Sequence, residues 1–186
     1  EQGENWNLIF DSLSTRKGTH ARVLNLFAYT GAASVVARKT GAEVVHVDAS
    51  RPGINWANQN MQLNDLKDIR WVHEDALKFV KREARRGNRY HGIIMDPPPY
   101  GRGPEGEKWT LQDKLNEIVQ SAATLLLNEK NSFFILSMYA VGLSPLVGLN
   151  VVSSHFRNTN PEAGEFYLKS SHKRHLPMGT FVRFRM

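Results

Sequence analysis

The chain of 186 residues has no cysteine. That excludes a disulfide framework, a thiolate metal site and any mechanism with a cysteine nucleophile. No apolar run approaches the ~20 residues that a bilayer-crossing helix needs, and the first residues carry no secretory pattern. The seven histidines are scattered without metal-ligand spacing. Neither a metal nor a membrane is therefore expected as a partner, and the expected compartment is the cytoplasm. There is no internal repeat, low-complexity tract or linker, so one domain over 1–186 is expected. Within it, 1–20 reads as an N-terminal segment at the junction to an upstream module.

What is present is an ordinary globular composition with a basic balance. Twenty-four Lys plus Arg stand against 18 Asp plus Glu, a net charge of +6. Such a surplus suits a polyanionic partner such as nucleic acid, although a generic soluble surface has the same arithmetic. Strand-like and helix-like segments alternate, which predicts a doubly wound α/β sheet. "ARVLNLFAY" (Ala21–Tyr29), "EVVHVDAS" (Glu43–Ser50), "IRWVHED" (Ile69–Asp75), "YHGIIMD" (Tyr90–Asp96) and "SFFILSMY" (Ser132–Tyr139) read as strands. The spacing predicts helices over Gly31–Gly41, Pro52–Leu66, Ala76–Arg86 and Leu111–Asn128. Ser144–Phe156 reads as one more helix despite Gly148, and Gly164–Met186 as a terminal antiparallel hairpin with a basic turn.

In such a sheet, ligands sit beyond the carboxyl ends of the strands. Asp48, Asp75 and Asp96 end three successive strands. One aspartate after a strand is usually a cap or turn residue; three on one edge point to a site. Asp48 follows Gly31 by 17 positions, and an acid at about 20 can accept from ribose hydroxyls. That chemistry serves an NAD enzyme as well as an adenosyl-cofactor enzyme. Only Gly31 of a G-x-G-x-x-G turn is present, so a pyrophosphate cradle is missing. S-adenosylmethionine, which has ribose and adenine but no phosphate, fits better.

The runs "NLFAYTGAAS", "HVDAS", "HEDALKFVKRE" and "DPPPYGRGPEGEKW" together resemble the class I S-adenosylmethionine-dependent methyltransferases. They are similar in particular to the bacterial 23S ribosomal RNA methyltransferases and their uncharacterised relatives. The first motif of that family often reads E-x-G-x-G-x-G. Here Asn25, Phe27, Tyr29 and Gly31 hold those four places, as in the N-L-F-x-Y-T-G form of the ribosomal RNA branch.

The resemblance implies a Rossmann-like, mostly parallel seven-stranded sheet with a C-terminal antiparallel hairpin. It also implies roles. Asn25, Phe27, Ala28, Tyr29, Thr30, Gly31, Ala32 and Ser34 would form the turn facing the methionine portion of the cofactor, with Gly31 allowing close approach. Asp48 would accept from the ribose, Ala49 and Ser50 would flank the adenine, and Asp75 with Ala76 would read its edge. Asp96 would lie near the sulfonium. "EQGENW" would be a loop closing over the cofactor.

"DPPPY" resembles the D-P-P-Y motif of amino-group methyltransferases. The Asp96 carboxylate and the Pro97 carbonyl would hold an amine, followed by Pro98, and Tyr100 would stack on a planar base. C5 methylation of cytosine normally uses a cysteine, so transfer to a base nitrogen is expected, with ribosomal RNA as partner. A protein or small-molecule substrate, or a non-catalytic nucleic-acid-binding domain, is the alternative. Three basic features could guide RNA. They are the helix bearing Lys78, Lys81, Arg82, Arg85, Arg86 and Arg89, the hairpin turn Lys169–His175, and Arg102 with Lys108. The last pair is the preferred phosphate contact.

Overall fold

The structure is a computed structural model and describes residues 1–16, 20–139 and 142–186. The elements run α1 (Gly3–Ser14), β1 (Arg22–Leu26), α2 (Ala32–Lys39), β2 (Glu43–Asp48), α3 (Arg51–Leu63), β3 (Ile69–His73), α4 (Ala76–Arg85) and β4 (Gly92–Met95). They continue through β5 (Tyr100–Arg102), β6 (Lys108–Thr110), α5 (Leu111–Ala123), β7 (Phe133–Met138), α6 (Pro145–His155), β8 (Glu162–Lys169) and β9 (His175–Arg185).

The central strands are apolar on both faces because helices cover both faces of a parallel sheet. All of β4 and β7 is buried. Alternate residues of β7 serve the two layers: Phe134, Leu136 and Met138 join the cluster of α4, α5 and α6, while Phe133 and Ile135 join that of α1, α2 and α3. The helix starts are locally encoded. Ser50 Oγ accepts from Gly53 N at 3.1 Å with Pro52 in the first turn, and Asp75 Oδ1 accepts from Lys78 N at 2.9 Å.

The seven-stranded sheet has the order β3-β2-β1-β4-β7-β9-β8, beside a separate β5-β6 ribbon. The first five strands of that order are parallel; β9 runs antiparallel to β7, and β8 to β9. The chain winds outward from β1 to β3 and then returns to lay β4 on the other flank of β1. The winding reverses between β1 and β4, which opens a crevice at their carboxyl ends. Among the described residues, no helix is long and apolar enough to cross a membrane.

Four details depart from the sequence reading. The first residues form a helix, not a loop: Asn5, Ile9, Ser12 and Leu13 share one buried face of α1 at helical spacing. The strand expected from Tyr90 begins at Gly92, and the helix expected to reach Asn128 stops at Ala123. One cause serves both, since Tyr90 bridges Leu126 and trades backbone hydrogen bonds with Leu125 and Leu127. The ribbon β5-β6 lies between the strand expected to end at Asp96 and the helix expected from Leu111, where no strand is expected. Gly148 proves to be a packing requirement of α6, because a Cβ there would stand 2.5 Å from Met138 Cε and 2.9 Å from a Val182 methyl.

Candidate active site

The turn after β1 is built on backbone that few residues adopt. Phe27 has φ 54°, Tyr29 φ 42° and Gly31 φ 81°; the first two are bulky residues in left-handed conformation, a strain that clusters at functional sites. Asp48, at the end of β2, holds the turn. Its Oδ2 accepts from Tyr29 N at 2.8 Å and its Oδ1 from Ser50 N at 2.7 Å. Each oxygen keeps a further lone pair. Across the edge, a His73 ring nitrogen and the Ala49 carbonyl are hydrogen-bonded at 2.9 Å, which fixes the backbone between Asp48 and Ser50.

Beneath the turn, a buried chain runs from Asn25 Nδ2 to Ser34 Oγ at 2.9 Å, and from there to His46 Nδ1 at 3.0 Å. Burial pushes the His46 imidazole down to about 4, so it is neutral at physiological pH. Gly31 is needed here for close approach, but the neighbour is α3: a Cβ at Gly31 would stand 2.8 Å from the Ala57 Cβ. Its left-handed φ separately favours glycine.

Asp96 stands at the carboxyl end of β4. Burial, and secondarily the Glu1 carboxylate, push its carboxyl up to about 7. No hydrogen bond reaches that carboxylate among the described residues. The prolines that follow are pinned at two of three carbonyls: Trp109 Nε1 donates to Pro98 O at 2.7 Å and Leu111 N to Pro99 O at 2.9 Å. The Pro97 carbonyl has no such donor. Trp109 itself is buried and packs on Phe27 with ring centroids 4.6 Å apart, so the ribbon braces the turn after β1.

These elements enclose a cavity of about 510 Å³, within the ~300–1,000 Å³ range of small-molecule sites. Phe27, Tyr29, Asp48, Ala49, Ser50, Asp75, Ala76, Asp96, Pro97, Pro98 and Arg102 line it, all expected from the sequence. Pro99, Gly101, Gly103, Trp109 and Tyr139 also line it and were not. Asn25, Ala28, Thr30, Gly31 and Ala32 line a smaller adjoining cavity that shares Phe27, Tyr29 and Asp96 with the first. That cavity is roofed by Gln2, Asn5, Trp6 and Ile9 of the N-terminal segment.

Gln2 Nε2 donates to the Tyr139 hydroxyl at 2.7 Å and to Ser137 Oγ at 3.1 Å, which ties the start of α1 to the end of β7. Burial, with the Asp96 carboxylate next, pushes the Tyr139 hydroxyl up to about 12. With three carboxylates to one guanidinium, the main cavity favours a ligand that donates hydrogen bonds, carries positive charge and offers flat faces to rings.

Three expected site residues lie outside these cavities. Ser34 is buried below the turn, where it orders Asn25 and His46. Tyr100 is 80% exposed on β5 because the proline run ends in a ribbon that turns its ring outward. Lys108 lies on β6 in a separate groove with Lys78, Lys81 and Lys114. The rings that face the main cavity are Phe27, Tyr29, Trp109 and Tyr139.

Comparison with known proteins agrees with this geometry. A family model described as S-adenosylmethionine-dependent methyltransferase matches residues 11–152. A crystal structure of a SAM-dependent methyltransferase from Agrobacterium tumefaciens is 35% identical. It superposes with a TM-score of 0.92 over 99% of this chain and 61% of its own. Ribosomal RNA large subunit methyltransferase I of Salmonella arizonae is 40% identical over 92 residues, 47% of this chain and 23% of that protein. Ribosomal RNA large subunit methyltransferase K/L of Shewanella frigidimarina is 37% identical over 128 residues, 64% of this chain and 18% of that protein. The chain thus spans less than a quarter of the length of these two relatives. Its fold, its crevice at the reversal of winding and the family match over most of its length agree: the chain belongs to the S-adenosylmethionine-dependent methyltransferases.

Proposed function

We propose that this chain transfers a methyl group from S-adenosylmethionine to a base nitrogen of ribosomal RNA. The observation that carries the reading is a pair of neighbouring acceptors on the cavity wall without donors of their own. Neither the Asp96 carboxylate nor the Pro97 carbonyl takes a hydrogen bond among the described residues, while the carbonyls of Pro98 and Pro99 are both engaged. An amino group with two hydrogens satisfies both acceptors at once. Both residues line the cavity, so a ligand that donates hydrogen bonds is favoured there.

The residues present fit the cofactor. Asp48 would accept from the ribose with its remaining lone pairs, and Ala49, Ser50, Asp75 and Ala76 would surround the adenine. Phe27 to Ala32 would face the methionine portion, and the carboxylates would favour a cation. When bound, S-adenosylmethionine supplies an electrophilic methyl group on a sulfonium. The chain's task is then mostly positioning. Asp96 and Pro97 orient the lone pair of the acceptor nitrogen, and Asp96, with its carboxyl near 7, takes the proton that the nitrogen releases. Tyr139 offers a ring on the cavity wall for a base taken out of its stack.

The absence of cysteine removes the usual covalent route to cytosine C5. The names of the ribosomal RNA relatives and the net charge of +6 favour RNA as the substrate. A ribosomal RNA substrate would also put the work in the cytoplasm. The test is mass spectrometry of nucleosides from ribosomal RNA of a deletion strain and its parent. One N-methylated nucleoside should vanish from the deletion strain and return when the purified protein and S-adenosylmethionine are added. An unchanged nucleoside profile, with transfer to a protein fraction instead, would overturn the RNA assignment.

A further inference from the structure

The β8–β9 hairpin outruns the sheet it belongs to. Met138, the last residue of β7, pairs with Thr180, yet β9 begins five residues earlier at His175. At about 3.3 Å per residue, the tip stands roughly 17 Å beyond the carboxyl edge, the edge that carries the active-site cavity. A β-bulge between Phe166 and Tyr167 sits at the root of this arm and re-aims it. The root is packed against the cavity wall. Tyr139 stacks on Phe166 with centroids 6.3 Å apart, and a Cβ at Gly179 would meet the Tyr139 ring at 2.8 Å.

The arm's chemistry differs from that of the other basic stretch, α4. No acidic side chain follows Glu165 in the sequence, while Lys169, Lys173 and Arg174 cluster with His172 and His175 at the tip. None of the three cations makes an ion pair among the described residues. Four cations on or just after α4 do, Arg85 being the exception: Lys78 pairs with Glu105 and Glu107, Lys81 with Glu117, Arg82 with Glu74 and Arg86 with Glu83. The tip is a tight loop closed by Ser170, which accepts from Lys173 N at 3.0 Å through its carbonyl and from Arg174 N at 3.1 Å through its hydroxyl.

Lys173 holds φ 61°, where glycine or asparagine is favoured. Phe27, Tyr29 and Lys173 are the described positive-φ residues other than glycine, asparagine and aspartate, and the first two line the active site. Below the tip, Tyr167 stacks on His175 at 4.2 Å and is half exposed, as are Leu168 and Leu176. Unpaired cations beside an exposed aromatic stack are what a single-stranded nucleic acid requires, the cations for phosphates and the rings for bases.

We infer that the β8–β9 arm is the RNA clamp of this enzyme, holding a single-stranded segment next to the nucleotide that enters the cavity. Lys169, Lys173 and Arg174 contact phosphates, and the Tyr167–His175 stack receives a base. The inference rests on the RNA reading of the cavity and adds where the chain outside the cavity is held. It replaces Arg102 and Lys108 as the main phosphate contacts.

The test measures binding of a single-stranded uridine homopolymer against salt for the wild type, the triple variant K169Q/K173Q/R174Q, and Tyr167→Ala. Binding of S-adenosylhomocysteine by each serves as the folding control. With ~0.7 counterions released per single-strand phosphate contact, the triple variant should flatten the log–log salt slope by about 2 and weaken binding about tenfold or more at moderate salt. Tyr167→Ala should weaken binding at every salt concentration and leave the slope unchanged. A triple variant with wild-type slope and affinity would overturn the clamp and leave the RNA reading standing. A wild-type chain that binds no RNA at low salt would overturn both. Loss of polyglutamate binding equal to loss of RNA binding, with Tyr167→Ala silent, would make the arm a general polyanion surface and refute its role with RNA.

Discussion

On the β2 and β3 side of the carboxyl edge, each aspartate is anchored by backbone amides. Asp48 takes Tyr29 N and Ser50 N, and Asp75 takes Lys78 N. On the β4 side, Asp96 ends a strand in the same way, but no donor reaches it among the described residues and burial drives its carboxyl up to about 7. The same residue at the same structural position therefore has two physical lives. The anchored acids cost the fold little, since their hydrogen bonds stabilise the turn and the helix start that present them. Asp96 costs the fold stability and keeps its acceptors open for a ligand. On the proposed reading, the side of the crevice that takes the cofactor is preorganised by its own backbone, whereas the side that takes the reacting nitrogen is left unsatisfied.

The strongest break of that comparison is Asp96→Asn. Removing a proton acceptor from the reacting nitrogen should lower turnover ~100-fold or more, with S-adenosylhomocysteine affinity nearly unchanged by calorimetry. In the wild type, turnover should rise with pH through a limb at or below about 7, because only the ionised carboxylate accepts the proton. Asp96→Asn should lack that limb. Equal losses in turnover and cofactor affinity would contradict the division of the edge into two halves.

Next in size is Asp48→Ala. Two backbone amides and the ribose would lose an ionised acceptor together, and charged hydrogen bonds contribute about 1.5–3 kcal/mol each. Cofactor affinity should fall about tenfold or more. The rate at saturating cofactor should change far less. A collapse in that rate with affinity intact would place Asp48 in the chemistry instead.

A third effect is on stability and has the opposite sign to the first. Asp96 is raised above its unfolded value near 3.9, so the folded chain binds its proton more tightly. Its contribution to stability is therefore lost as pH rises from about 4 to about 7, and the penalty is complete above that. Asp96→Asn should raise the Tm of the ligand-free chain by a few degrees at pH 8 and by much less at pH 4. The variant would thus be inactive and more stable. Thermal melts at the two pH values read this directly, and a destabilised variant at pH 8 would show that burial is not what raises the carboxyl.

Much of this was legible in the sequence because the anchored half is local. A strand ending in aspartate, a turn with Gly31, and Ser50 or Asp75 as helix caps are short-range patterns, and all of β1 to β4 and α2 to α4 follow from them. The same logic pointed to the three acids that line the cavity, and the D-P-P-Y resemblance to Pro97 and Pro98 but not Pro99. It missed Trp109 and Tyr139, whose roles come from partners far along the chain, at Phe27 and at Gln2. It also missed α1, since Gln2 makes no side-chain cap and Gly3 opens the helix, and a glycine there weakens local propensity. The ribbon β5-β6 has strands of three residues, too short for alternation to show. Tyr100 was placed in the cavity by motif alone, and the ribbon turned it out.

The smallest expected effect separates the two basic regions that sequence treated alike. In α4, Lys81 pairs with Glu117 and Arg82 with Glu74, so their charge is already spent within the protein. Exposed pairs of this kind contribute ~0–1 kcal/mol. Lys81→Gln should therefore shift stability by about 0.5 kcal/mol or less and leave the salt slope of RNA binding unchanged. Its counterpart on the arm, Lys173→Gln, should leave stability equally untouched and flatten that slope by about 0.7. The contrast follows from pairing and not from the number of cations, since both regions are rich in lysine and arginine. Equal slopes for the two variants would mean that the Glu117 partner gives way when RNA arrives, and that α4 belongs to the RNA surface after all.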